Sequence, residues 1–477
     1  MHINFNTLDW IVIIIYFILV IWLSYRKNEF EVGEEEFLLS GRRMTLPAFV
    51  ATLVSTFYGG ILGVVEYSYQ FGISQWLLFG FPFYVFSILF AWLLAKKIRN
   101  NPALTIPDAV RVEYGDSAAN LSAVGVFILV SPAPYILMLG LLFQFMFGGH
   151  GSVLLYAVLV SLFSVGYVST GGFEAVVRTD VLQMILMYGG FIFLLIFAVH
   201  DYGGFSKMWH DVPPIYRNIT GGHSLQYVLV WFFIALWTFV DPSFHQRAAA
   251  AKTPETARNG IFLSVGFWMV FDFLTVTCGM YGFLILGHID KPAMVYPYLA
   301  DTLLPMGFRG LFYVALLATI MSTLDSYLFI AGLTLGRDLF ANLFPKAKRV
   351  LLTRISVLAA AGLSIALIHF YPSVISLWYV IGSVMIPGLL IPVMGIYIPI
   401  FRLRKPYVVP LMVLSTGISF IWMVLGTIHS KGSYSEAYLG IEPFYPGTVL
   451  SIVLWLVGRD REAKQSVFEQ LKEINDP

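Results

Sequence analysis

Apolar runs of about the length that crosses a bilayer recur from one end of this chain to the other, and they decide its class before any motif is considered. A helix needs ~20 predominantly apolar residues to span hydrocarbon. We read thirteen such stretches, at roughly 8–25, 45–70, 73–95, 119–147, 152–170, 180–199, 225–241, 259–287, 308–336, 352–370, 374–401, 407–428 and 446–457. A sequence that is 58% hydrophobic and 12% charged carries far more apolar surface than a soluble core requires. The expectation is an all-α polytopic protein with the lipid bilayer as its solvent. No basic region precedes the first run and no small-residue cleavage site follows it, so it reads as a retained helix and not a signal peptide. The single cysteine, Cys278, lies inside an apolar run. An intramolecular disulfide is excluded, and a zinc-thiolate site is disfavoured.

Charge distribution supports the same count. With the N-terminus outside, twenty-four Lys and Arg fall in inner loops, Arg178, Arg247 and Arg337 among them, and only Lys207, Arg217, Lys291, Arg309 and Lys431 fall outside. That asymmetry is the positive-inside pattern, which one miscounted span would scramble. It predicts a multi-pass protein of the plasma membrane, of the bacterial inner-membrane kind, with a cytoplasmic C-terminus. On this count no Lys or Arg lies inside any span.

Thirteen spans divide as one leading helix with its inner loop (1–44), a first five-helix repeat (45–200), a second (201–402), and two trailing helices with a short tail (403–477). The second and seventh spans, which open the two repeats, are interrupted, by Tyr58-Gly59-Gly60 and by Asp241-Pro242. Broken helices expose backbone polar groups at membrane depth and are tolerated where they line a cavity or bind something. Close packing of glycines is the competing explanation for Gly59-Gly60. The outer loop 200–224 carries His200, His210, His223, Asp201 and Asp211, at spacings that match no metal-binding pattern, and reads as a solvated loop. The tail places Val467, Leu471 and Ile474 on one helical face and could lie on the inner membrane surface. No nucleophile–base pair, metal motif or cofactor loop appears, so the chain is not read as an enzyme. Nothing points to nucleic acid or to an obligate protein partner.

Several pieces together resemble the sodium:solute symporter family: FLLSGRRM (37–44), LTIPDAVRVEYGD (104–116), RTDVLQ (178–183), DPSFHQRAAAAKTPETARNG (241–260) and the hydroxyl-bearing ninth span. Each is weak alone; their order and spacing are specific. The resemblance implies the LeuT-type inverted-repeat fold and sodium-coupled symport of a small solute. It implies a Na⁺ site of carbonyls at Leu53, Thr56 and Thr319 and hydroxyls at Ser322 and Thr323. It further implies, as in some members, a second cation site, here Asp180, Gln183, Ser326 and Asp325, where those relatives place a hydroxyl instead of Asp325. Polar contacts of sugar-transporting members fall on Ile234, Gly60, Phe79, Pro82 and Trp268, so a sugar pose does not carry over.

Residue chemistry agrees with the first of these sites. At 100° per residue Thr319, Ser322, Thr323 and Ser326 share one arc of an otherwise apolar helix, and hard cations favour such oxygens. Hydroxyls bonded back to the helix, or gluing helices together, are the plain alternative. Asp325 is harder to place, because a bare carboxylate at membrane depth needs a cation or a proton. The readings are a Na⁺ site shared with Asp180, Ser322 and Ser326, a proton shared between the two carboxylates, or a salt bridge to Arg178 or Arg337. For the solute, Ser55, Phe57, Tyr58, Ser131, Tyr135, Trp237, Trp268 and Asp272 are the candidates. Without a cavity Lys or Arg, a neutral, zwitterionic or cationic molecule is favoured. Sensing of a solute without transport remains the reading from another class.

Overall fold

The structure, a computed structural model, describes residues 5–25, 33–341, 344, 346–370, 374–429 and 438–462. The tail face of Val467, Leu471 and Ile474 lies outside the described residues, as do Arg26, Lys27, Lys431, Lys464 and Lys472. The described residues form helices and no sheet. Ten helices are long and apolar enough to cross a membrane, or eleven when the bent pair Leu46–Phe57 and Ile61–Phe71 counts as one. Thirteen spans were expected, and the difference lies in how two features are counted. Val153–Tyr202 is a single run of 50 residues with a left-handed Gly172 (φ 64°) inside it. At 1.5 Å per residue such a run measures ~75 Å, more than twice the thickness of the hydrocarbon. Phe444–Gly458, with 15 residues, is apolar but shorter than the rest.

At the centre stands Phe308–Leu333, whose residues from Phe312 onward are buried without exception. An apolar helix buried all round is a core element, not a lipid-facing one. It packs against Val153–Tyr202, Leu46–Phe57 and Thr7–Ser24. Asp9 fixes its N-terminal end: its Oδ1 accepts from the Gly307 and Gly310 amides at 2.9 and 2.8 Å, satisfying orphan donors of the helix start. Peripheral helices do the opposite and turn apolar side chains outward, as Ile14, Ile18 and Trp22 do on the first helix and Phe420, Ile421 and Ile428 on Lys405–His429.

Both sequence interruptions are helix boundaries. Leu46–Phe57 and Ile61–Phe71 meet at 61° across Tyr58-Gly59-Gly60. A Cβ on Gly59 would overlap the Thr323 side chain, and one on Gly60 would overlap the Trp378 ring. The glycines therefore serve both anticipated purposes, a break and a close approach. At Asp241-Pro242, Asp241 caps Pro242–Ala250 by accepting from the Ser243 amide at 2.7 Å, with proline at the first helical position. A third break, at Val130 to Pro132, separates Asp116–Leu129 from Ala133–Met146.

Candidate functional site

The break in Leu46–Phe71 faces the hydroxyl stripe of Phe308–Leu333. Thr323 Oγ1 donates to the carbonyl oxygen of Thr56 at 2.6 Å, and Thr56 Oγ1 lies 3.4 Å from Ser322 Oγ and 3.1 Å from Ser326 Oγ. The structure thus brings together Thr56, Ser322 and Thr323, three of the five residues named for Na⁺. Leu53, buried on the same helix face, lines the adjoining cavity with Thr56. The Thr319 hydroxyl donates back to the Ala315 carbonyl at 2.7 Å, leaving its own carbonyl as its contribution. A set of neutral carbonyl and hydroxyl oxygens fits a hard monovalent cation.

The four residues named for a second cation divide into two clusters. Asp180 accepts from Ser322 at 2.6 Å and from the Thr52 hydroxyl. Beside it lies a group the sequence reading had put outside the membrane. Arg247, on Pro242–Ala250, is completely buried. Its Nη2 donates to Thr56 Oγ1 at 2.6 Å, Ser326 Oγ at 2.8 Å and Thr52 Oγ1 at 2.9 Å, and sits 3.6 Å from Asp180 Oδ2. This corrects the statement that no basic residue enters a span. DPSFHQRAAAAK reads as loop by hydropathy, yet its helix continues the span Leu225–Ala250 and every residue from Pro242 to Ala250 is buried. The guanidinium takes a cation's position among Asp180, Thr56 and Ser326.

Asp325 belongs to the second cluster. By helical phase it lies about 60° outside the hydroxyl arc, and it faces Val153–Tyr202, where Tyr167 donates to its Oδ2. Its Oδ1 has no hydrogen-bond partner, and among the described residues Asp325 forms no ion pair. Gln183 is close by; its Nε2 donates to Tyr16 at 3.2 Å. The salt-bridge reading of Asp325 is overturned. Arg178 pairs with Glu174, and Arg337 is engaged by Glu34, Asp108 (2.6 Å) and Asp338 (2.9 Å). That cluster accounts for the Asp108 of LTIPDAVRVEYGD.

Beside the break is a cavity of about 120 Å³. Phe57, Tyr58, Tyr135, Trp237 and Asp272 line it, as expected. Ser55, Ser131 and Trp268 are not in its wall. Ser55 bonds back to the Ala51 carbonyl at 2.8 Å, and Trp268 lies behind Phe57, stacked on it at 4.4 Å. The wall adds Asp241, Gln75, Tyr327 and Trp378, which sequence reasoning did not assign to the solute. Asp241 had been visible only as a helix breaker. Tyr84 donates to Asp272 Oδ2, Tyr327 donates to Asp241 Oδ2 at 3.3 Å, and Tyr58 donates to the Trp268 carbonyl at 2.8 Å. The hydroxyls of Tyr67 and Tyr227 bond to each other between Ile61–Phe71 and Leu225–Ile234.

Comparison with known proteins agrees with this geometry. The chain is 24% identical to the osmoregulated proline transporter OpuE of Bacillus subtilis, over 93% of this chain and 92% of that protein. It is 25% identical to sodium/glucose cotransporter 1 of Ovis aries, over 76% of this chain and 62% of the cotransporter. Among solved structures, a Na⁺-coupled sialic acid symporter in a substrate-bound outward-open state superposes with a TM-score of 0.79. That match covers 95% of this chain and 97% of the other at 14% identity, a likeness of fold. The fold is therefore of the LeuT type, and the relatives matched by sequence are transporters and not enzymes. The sodium:solute symporter family matches residues 37–400, which contain the broken span, the buried arginine and the hydroxyl helix, and the chain belongs to that family.

Proposed function

We propose that this protein takes up a small polar organic solute by sodium-coupled symport, working by alternating access in a plasma membrane with its N-terminus outside and its C-terminus cytoplasmic. The observation that supports this most directly is the seating of Gly59 against Thr323, with the Thr323 hydroxyl on the Thr56 carbonyl. Na⁺ bound among Leu53, Thr56, Thr319, Ser322 and Thr323 ties the broken span to the central helix. It thereby orders the cavity wall at Phe57 and Tyr58 and favours closure at Tyr67 and Tyr227. Because Arg247 already neutralises Asp180, the coupling is to one Na⁺. That ion, falling through ~100 mV and a tenfold gradient, supplies ~3.7 kcal/mol, enough for a several-hundredfold accumulation.

A second reading, proton coupling, is favoured at one point only: Asp325 is buried with Tyr167 and without an ion-pair partner among the described residues. In that case a proton on Asp325 accompanies, or replaces, the ion. Uptake into proteoliposomes under imposed Na⁺ or pH gradients decides between them, once thermal-shift screening with and without Na⁺ has supplied a solute. Uptake indifferent to both gradients refutes transport coupling altogether.

A further inference from the structure

The cavity carries more negative charge than one Na⁺ balances, and it has an unused acceptor beside that charge. Asp272 and Asp241 both line it and are 2% and 8% exposed. Asp180, behind the cavity, is matched by Arg247. With both carboxylates ionised, one Na⁺ leaves one negative charge, and burying an uncompensated charge is expensive. A zwitterion or a neutral solute would leave that charge standing.

Gln75 supplies the second, independent observation. It is 1% exposed, lies in the cavity wall next to Asp272, and its Oε1 has no hydrogen-bond partner among the described residues. A buried unpaired amide oxygen is costly unless something donates to it. Tyr84 donates to Asp272, and Tyr327 and the Ser243 amide donate to Asp241, so an ammonium brings to these corners what those neutral donors lack, positive charge. The remaining wall is aromatic: Phe57, Tyr135, Trp237 and Trp378 surround the space between the two carboxylates. Aromatic faces attract a cation and shelter a short apolar body. At about 120 Å³ the space is comparable to the ~150 Å³ cavity that holds a benzene.

From this arrangement we infer that the transported solute is a small organic monocation bearing an N–H ammonium, held at Asp272 and Gln75 with its apolar body among Phe57, Trp237 and Trp378. The inference rests on the symport reading above and names its substrate class. Asp241 and Tyr327 are part of the same cavity wall.

The test uses purified full-length protein in Na⁺ buffer and a panel of short primary amines. Each amine is paired with the amino acid and the alcohol of the same carbon body, as isoamylamine is with leucine and isoamyl alcohol. Binding is read by thermal shift and by quenching of tryptophan fluorescence. At least one amine is expected to bind tenfold or more tighter than both of its partners, and Asp272→Asn is expected to remove that preference. Gln75→Leu, which keeps the charge, should weaken the amine at least threefold and leave Na⁺ binding unchanged. The inference is overturned if an amino acid or alcohol binds best, or if no amine binds. Should an amino acid then be taken up under a Na⁺ gradient, the cation assignment fails while sodium symport stands; uptake of the bound amine without Na⁺ dependence has the reverse meaning.

Discussion

Replacing Arg247 with methionine removes the buried guanidinium and keeps most of the side chain's length. At the observed 3.6 Å from Asp180 and an effective dielectric of ~20, the attraction between the two charges is ~4.6 kcal/mol. Desolvation offsets part of this in the intact pair, but breaking a buried pair from one side typically costs ~3–5 kcal/mol, because the other charge stays behind. Arg247→Met and Asp180→Asn should each lower stability by about that amount in Na⁺-free buffer. The double variant carries neither charge and should recover most of the loss. The two single losses less that of the double then give a coupling energy of roughly 5–10 kcal/mol, measured by unfolding of the four proteins in detergent. Sodium gives the functional half of the prediction. With the guanidinium gone, Asp180, Thr56, Ser322 and Ser326 are open to an ion, so Na⁺ should stabilise Arg247→Met more than wild type. The added effect is ~2.7 kcal/mol at a hundred times the dissociation constant. The Na⁺ dependence of uptake should steepen from one ion to two. A coupling energy below ~1 kcal/mol, or equal stabilisation of all four proteins by Na⁺, would refute the view that Arg247 stands in a cation's place.

Three further outcomes follow from the same geometry. Gly59→Ala puts a methyl group into Thr323, an overpacking of ~1–3 kcal/mol, and should raise the Na⁺ concentration for half-maximal uptake about 5- to 150-fold while Gly166→Ala, with open space around it, leaves it unchanged. Thr323→Val keeps the shape and deletes the hydroxyl that reaches the Thr56 carbonyl at 2.6 Å, and an increase of ~2- to 10-fold in the same quantity is expected, read in proteoliposomes. For Asp325→Asn, uptake is compared with wild type over a grid of pH and Na⁺ concentration. A loss of pH dependence with Na⁺ dependence intact assigns a proton to Asp325, and an unchanged grid removes it from coupling.

What the sequence made legible depended on whether a local period carried it. The hydroxyl stripe could be read because Thr319, Ser322, Thr323 and Ser326 keep to one face of a helix whose other positions are apolar. The same periodicity also held the information that Asp325 lies off that face; its partner, Tyr167, sits 158 positions away on another helix, and no spacing announces it. Both helix breaks were visible in Gly-Gly and Asp-Pro, since backbone chemistry is local. What broken helices face is not.

Arg247 shows the deeper limit. Hydropathy and the positive-inside count both treat a basic residue as evidence of an aqueous loop, and an arginine buried against a carboxylate violates that premise without disturbing the count. Its position follows from the helix that restarts at Asp241-Pro242 and carries a polar-looking segment on among apolar ones, where a charge survives only beside another. Two such charges were in the sequence, Asp180 and Arg247, 67 positions apart and on separate helices. Neither alone is interpretable. A buried acid at membrane depth predicts that some cation must meet it, and the search for that cation should extend to every short helix that begins with a capped proline next to a span, not only to ions from solution.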